Sequence, residues 1–218
     1  MKEIICFIDD SPFEHELIKN EIAPCAPDIE FVQAYTFDEA RKILEGREPS
    51  LFLLDLWGQD PEVKDPYIVP ESELKDIVSK LPSIDQLYEG AEDMNFNDYL
   101  RRIFTIVEAW RNIFQQVCSK IGQNRKYGLK NLMYVRNSYP GVPAVIYTRK
   151  SLIWDAIAVI NAGADGIFIK PTGTNDEETK RLTREFAPRL TLELKRIIFR
   201  KRAILTIQKG CLAFEWVK

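Results

Sequence analysis

The sequence predicts an α/β fold built on a parallel sheet. Three observations carry that reading. Short apolar runs recur at residues 4–8, 51–54 and 142–147, each suited to a strand buried on both faces. As far as Asp55 the runs alternate with segments of helical period, in the order β-α-β-α-β, the pattern of parallel strands joined by right-handed crossovers. The runs stop at polar residues, where an open α/β sheet presents its ligand-binding groups.

Residues 4–8 form the first predicted strand, which ends at Asp9 and Asp10. Ser11 before Pro12 predicts a helix start, with Ser as cap and Pro in the first turn. Phe13, Leu17, Ile18 and Ile22 then fall at helical spacing, and His15, between Glu14 and Glu16, reads as a solvated surface residue. Residues 29–34 read as the second strand. Thr36 with Glu39 forms a capping box for a helix that turns Ala40, Ile43 and Leu44 inward and can end at Gly46. The third strand, 51–54, is the centre of the pattern: four apolar residues end at Asp55, a carboxylate that a buried strand can present at its carboxyl end.

Beyond Trp57 and Gly58 the regular pattern breaks. Residues 59–70 read as loop and 71–81 as a short helix stopped before Pro82. Phe96, Leu100, Ile103, Val107, Trp110, Phe114, Val117 and Ile121 follow three- and four-residue steps, which predicts an amphipathic helix roughly 40 Å long. Its apolar stripe requires a cover. Residues 128–137 form another helix, 142–147 a strand ending at Thr148, 151–162 a helix closed by Gly163, and 166–169 a fifth strand ending at Lys170 and Pro171. Asn175 caps a further helix, with acids at its positive end, and Pro188 should kink or split it. The tail, 203–218, alternates around Lys209-Gly210 in the manner of a hairpin.

Composition narrows the function classes. A net charge of −3 gives no global case for nucleic-acid binding. The basic run Lys195, Arg196, Arg200, Lys201 and Arg202 reads as a solvated helix end, so nucleic acid is not an expected partner. Cys6, Cys25, Cys118 and Cys211 lack C-x-x-C spacing and His15 is the single histidine, which excludes a zinc site and fits a reducing, cytoplasmic setting. No apolar stretch is long enough to span a bilayer, so no membrane is expected.

The polar strand ends are the candidate site. In a parallel sheet Asp9, Asp10, Asp55, Thr148 and Lys170 come to one edge. Three neighbouring carboxylates repel unless a cation sits between them, and an oxygen-only donor set favours a hard ion such as Mg²⁺. Thr148 offers a hydroxyl and Lys170 a point charge, both suited to a phosphoryl group. Asp55 then stands as a carboxylate nucleophile that accepts it.

The segments Ile-Asp-Asp-Ser at 8–11, Leu-Leu-Asp-Leu at 53–56, Tyr-Gly-Leu-Lys-Asn-Leu at 127–132, Pro-Ala-Val-Ile-Tyr-Thr at 143–148 and Gly-Ala-Asp-Gly-Ile-Phe-Ile-Lys-Pro at 163–171 form an ordered set. The set resembles the receiver domain of two-component response regulators, the CheY-like family. The resemblance implies a flavodoxin-like, doubly wound, five-stranded fold over 1–58 and 126–200, interrupted by a mainly helical insertion at 59–125 and followed by a short C-terminal extension at 201–218. It implies phosphorylation of Asp55 by a histidine kinase or phosphotransfer protein. It implies Mg²⁺ held by Asp10 directly, by Asp9 through water, by Asp55 and by the backbone carbonyl of Trp57. Thr148 and Lys170 would contact the phosphoryl group, and Lys170-Pro171 could carry a cis bond.

Three departures set this chain apart from that pattern. Arg149 stands where receivers have a small residue after the Thr; it could slow access or contact the phosphate. Ile167 replaces the usual switching aromatic, with Phe168 one place along and facing the other way. The insertion is far longer than a loop; it could cover the site, dock a partner or, like the C-terminal extension, pair two copies of the chain. The expected function is a phosphoacceptor receiver without a recognisable output domain, not an enzyme beyond self-dephosphorylation. Two alternatives stand beside it: an unphosphorylated scaffold, and a phosphohydrolase with an Asp nucleophile, which usually needs a second Asp where this chain has Trp57.

Overall fold

The computed structural model describes residues 2–59, 70–149 and 153–208. The chain divides into two compact units, one formed by Met1–Gly58 with Arg125–Lys218 and the other by Gln59–Asn124.

The first unit alternates strand and helix. Its elements are β1 (Glu3–Ile8), α1 (Pro12–Leu17), β2 (Ile29–Ala34), α2 (Phe37–Leu44), β3 (Leu51–Leu54), and, after the second unit, α5 (Lys126–Ser138), β6 (Ala144–Thr148), α6 (Ile153–Asn161), β7 (Gly166–Ile169) and α7 (Asp176–Gln208). A π turn over Ile18–Ile22 extends α1. The five strands are parallel and ordered β2-β1-β3-β6-β7. Counted within this sheet the order is 2-1-3-4-5, that of flavodoxin-like doubly wound folds.

Alternation along the strands assigns the two faces. Ile5, Phe7, Leu51, Leu53, Val145 and Tyr147 pack with Ile18 and Ile22 and with Ala187, Leu190, Leu194 and Ile198 of α7. Phe168 joins this core from β7. Phe52, one residue out of step, points to the opposite face, where its ring lies 6.3 Å from Phe37 of α2 and 5.1 Å from Tyr139 after α5. With apolar residues on both faces, the strands read as unbroken apolar runs.

Local signals explain several helix ends. Thr36 Oγ1 accepts the Glu39 N–H at 3.2 Å, and the Glu39 carboxylate reaches back to the Tyr35 N–H at 2.7 Å. Asn175 Oδ1 accepts the Glu178 N–H at 2.9 Å. The helix α2 ends in two left-handed residues, Glu45 (φ 48°) and Gly46 (φ 82°), so a side chain occupies the first of the positions glycine usually takes.

Three local expectations are corrected. Ser11 occupies the N-cap position of α1, but its side chain makes no capping bond. Its N–H instead donates to Asp9 Oδ1 at 2.9 Å. Pro188 does not split the last helix: α7 runs through it, because buried Ala187, Leu190, Leu194 and Ile198 seat both sides on the sheet and outweigh the lost N–H bond. The tail is helical to Gln208, not extended, over its first part. Lys201 bonds Asp165 at 3.0 Å and the Arg202 fork spans Glu3 with two 2.7 Å bonds, which fixes this end of α7 as helix. The rest of the expected hairpin, 209–218, lies outside the described residues, as do loop residues 60–69 and the Ser151 helix start. The peptide bonds of the described residues are all trans, Lys170-Pro171 included.

The second unit contains α3 (Glu71–Ser79), two 3₁₀ turns at Ile84–Leu87 and Ala91–Asp93, and α4 (Phe96–Lys120). Short strands β4 (Gly58–Gln59) and β5 (Gln123–Asn124) pair where the chain leaves and returns. Asn95 caps α4 by accepting the Asp98 N–H at 3.0 Å. The helix is where the periodicity predicts it; of the expected stripe Leu100, Ile103, Phe114, Val117 and Ile121 are half-buried and Phe96, Val107 and Trp110 exposed, while Ile106 and Cys118 beside it are buried. The short 3₁₀ segments set this, with Arg102 donating to the Gln86 carbonyl at 3.1 Å and Trp110 Nε1 to Pro82 O at 3.3 Å.

Candidate functional site at the carboxyl edge of the sheet

Backbone ladders carry Asp9, Asp55 and Lys170 one residue past their strands, while Thr148 is the last residue of β6. Asp9 N–H donates to Ala34 O at 3.1 Å, Asp55 N–H to Ile8 O at 2.9 Å, and Lys170 N–H to Thr148 O at 2.9 Å. The parallel register therefore delivers Asp9, Asp55, Thr148 and Lys170 to one edge. Carboxylate oxygens of Asp9, Asp10 and Asp55 lie within 4.8 Å of one another.

Lys170 sits at the centre of the charge. Its Nζ lies 2.5 Å from Asp9 Oδ2, 2.9 Å from Asp55 Oδ1 and 3.5 Å from Glu14 Oε2. It is also within 6 Å of the Phe7 and Tyr147 rings, at 5.8 and 5.6 Å. Lys170, Asp9 and Asp55 are all buried.

Burial, the largest influence, pushes the Asp55 carboxyl up to about 7, and the Asp9 charge adds to it. The Lys170 charge and hydrogen bond pull the other way. The Thr148 hydroxyl adds a weaker pull, although its Oγ1 forms no hydrogen bond of ordinary geometry. Lys170 moves up as well: burial alone would lower it, but the charges of Asp55, Asp9 and Glu14 more than offset that. The two directions agree physically. Lys170 answers to three carboxylates, whereas Asp55 is opposed by Asp9 and shares its cation.

The donor set fits a hard divalent ion. It is made of carboxylates, without sulfur or imidazole, and burial makes an uncompensated carboxylate cluster costly. Both Asp9 oxygens already accept donors, Lys170 on Oδ2 and the Ser11 N–H on Oδ1. Asp10 is the least buried of the three carboxylates. Trp57 follows in the turn after β3, where the resemblance calls for a backbone carbonyl. Thr148 Oγ1 is buried without a hydrogen-bond partner, an arrangement that costs free energy unless a ligand oxygen meets it.

Other residues of the site were not apparent from spacing alone. Glu14 is buried, its Oε1 accepting Arg149 Nε at 2.6 Å. Arg149 is thereby engaged; it also donates to the Pro171 carbonyl and to Thr172 Oγ1 at 3.0 Å, and stacks over Phe13. His15 is not a free surface residue, because its ring nitrogens lie 2.9 Å from Gln33 Oε1 and from the Asp9 carbonyl, between Phe7 and Tyr35. Tyr127 opens α5 with its hydroxyl on the Tyr35 carbonyl at 2.7 Å. Burial, then the charges of Asp9, Asp10 and Asp55, hold that phenol neutral.

The sheet order, with these residues at the carboxyl ends of its strands, is that of the flavodoxin-like doubly wound fold, which receiver domains share. The chain is similar to NtrX from Brucella abortus in complex with ADP, with 17% identity and a TM-score of 0.53 over 98% of this chain; it spans 31% of that longer chain. It is also similar to the CheY-like response regulator receiver domain protein from Methanospirillum hungatei JF-1 (15% identity, TM-score 0.46, 90% of this chain and 97% of that one). The response regulator domain of Thermotoga maritima CheB matches with 14% identity and a TM-score of 0.48, over 91% and 97% of the two chains. No protein-family model matches the sequence. No curated relative matches it.

Proposed function

We propose that the chain is a phosphoacceptor receiver, taking a phosphoryl group on Asp55 to control contact with a partner or with a second copy of itself. The observation that carries this reading is Lys170 Nζ bridging Asp55 and Asp9, with Asp10 in the same cluster. In the reaction an Asp55 carboxylate oxygen forms a bond to phosphorus as the bond to the donor atom breaks. Asp55 must be ionised to attack, and burial opposes that. A cation beside it is therefore part of the chemistry. Asp10 and Asp55, with Asp9 behind them and the Trp57 carbonyl, would hold Mg²⁺, which supplies charge neutralisation. Lys170 and Thr148 would meet the phosphoryl oxygens. The donor would be a histidine kinase or a phosphotransfer protein, and the chain itself would act as an enzyme only in losing the phosphate.

A second reading is a scaffold that keeps the fold without phosphorylation. It is favoured by the three carboxylates, Asp9, Glu14 and Asp55, that surround Lys170 Nζ. Among the described residues no helix is long and apolar enough to cross a membrane.

The test is incubation with acetyl phosphate and Mg²⁺ followed by intact mass measurement. The receiver reading expects one phosphoryl adduct on the wild type and none on Asp55→Asn. Absence of any adduct on the wild type would favour the scaffold.

A further inference from the structure

Lys170 has three N–H donors and faces three acids. Two of these acids, Asp9 and Asp55, belong to the phosphoryl site; Glu14 does not. It reaches Lys170 from α1, where Glu14, Leu17, Ile18 and Glu21 form one buried stripe. The two acids on that stripe are each met by an arginine: Glu21 by Arg184 at 2.7 Å, and Glu14 by Arg149 at 2.6 Å. Glu14 therefore stands between two cations, with Oε2 toward Lys170 and Oε1 on Arg149. Arg149 is anchored beyond it to Pro171 and Thr172, on the loop after β7.

We infer that Glu14 is a positioning residue that sets how much of the Lys170 charge is available to a phosphoryl group on Asp55, and that Arg149 acts through Glu14 by drawing it away. The inference rests on the phosphoacceptor reading above. A phosphoryl oxygen on Asp55 must compete with Glu14 for the Lys170 ammonium. In a buried setting a carboxylate 3.5 Å away is poorly screened and competes well. Arg149 holds Glu14 by a charge-assisted bond and so limits that competition. Its place directly after Thr148 brings Nε to Glu14 and Nη1 to Pro171 and Thr172.

The reading separates a relay from simple through-space charge. Removing the Glu14 charge should strengthen phosphoryl binding, and removing Arg149 should weaken it, under either account. If Arg149 acts through Glu14, however, its removal loses its effect once Glu14 is neutral.

The probe is beryllofluoride with Mg²⁺, titrated by fluorine NMR into the full chain at mildly alkaline pH, where carboxylates stay ionised. Glu14→Gln should bind about 5-fold more tightly than wild type and Arg149→Ala about 5-fold more weakly. Arg149→Ala in the Glu14→Gln background should change affinity by less than about 2-fold. Circular dichroism checks folding, and Arg149→Gln replaces Arg149→Ala if the latter does not fold. Equal weakening by Arg149→Ala in both backgrounds, or no tightening in Glu14→Gln, overturns the inference and leaves the receiver reading intact. A wild type that takes no beryllofluoride overturns the receiver reading and the inference with it.

Discussion

Gly128 donates its N–H to the Leu56 carbonyl at 3.0 Å, and a Cβ at Gly128 would lie 2.4 Å from the Leu56 Cα. The same Cβ would lie 2.4 Å from the Asp55 carbonyl oxygen. The first turn of α5 is thus pressed against the peptide that carries the candidate nucleophile. Gly128→Ala should cost about 1–3 kcal/mol, since backbone on both sides must shift. It should also weaken beryllofluoride binding, because the peptide that moves is that of Asp55. Urea melts and the fluorine titration check both effects, and a variant with wild-type stability would show that α5 can back away freely.

Asp9 and Asp10 should differ as magnesium ligands. Asp9 is buried, whereas Asp10 is half-buried. Mg²⁺ at a hundred times its dissociation constant should stabilise the wild type by about 2.7 kcal/mol. Asp10→Asn should abolish that gain and Asp9→Asn should reduce it. Melts with and without Mg²⁺ read the two variants, and equal loss in both would contradict the assigned difference.

Acid should loosen the sheet at Asp165. Burial opposes ionisation there, but the Ala144 N–H, Lys201 and Arg136 together hold the carboxyl below its usual value. The folded state therefore keeps the proton off more strongly than the unfolded chain does. The stability this contributes is present in full above the ordinary aspartate range and is lost as pH falls through that range and the lower folded value. Asp165→Asn should be less stable than wild type at neutral pH, with the gap closing as the solution is acidified. Chemical melts across mildly to strongly acidic pH would reveal the convergence; a constant gap would count against it.

The strand ends could be read from the sequence because a buried parallel strand has little choice: Leu51 to Leu54 must be apolar, so Asp55 stands out. Thr148 and Lys170 stand out for the same reason. Glu14 was hidden because its partners, Arg149 and Lys170, lie far along the chain and charge beside Glu16 reads as surface. The signal was present, since Glu14 shares the helical stripe of Leu17, Ile18 and Glu21. His15 was misread in the same way, its contacts to Gln33 and the Asp9 carbonyl being tertiary. The α4 stripe was covered only in part, and its buried neighbours Ile106 and Cys118 were missed, because the short segments at 84–87 and 91–93 carry no periodicity that would reveal which face they cover. Pro188 was overrated because local propensity says nothing of the core beneath it.

The last helix has a further property. Over 33 residues, roughly 50 Å, it is a single rod rooted beside Thr172, in the loop that Arg149 grips. Of its remote joints, Lys195 on Asp28 and Arg202 on Glu3 are largely solvent-facing ion pairs, individually cheap to exchange. A disturbance at its root would therefore be felt first as slippage at the helix's far end, where these fastenings are weak.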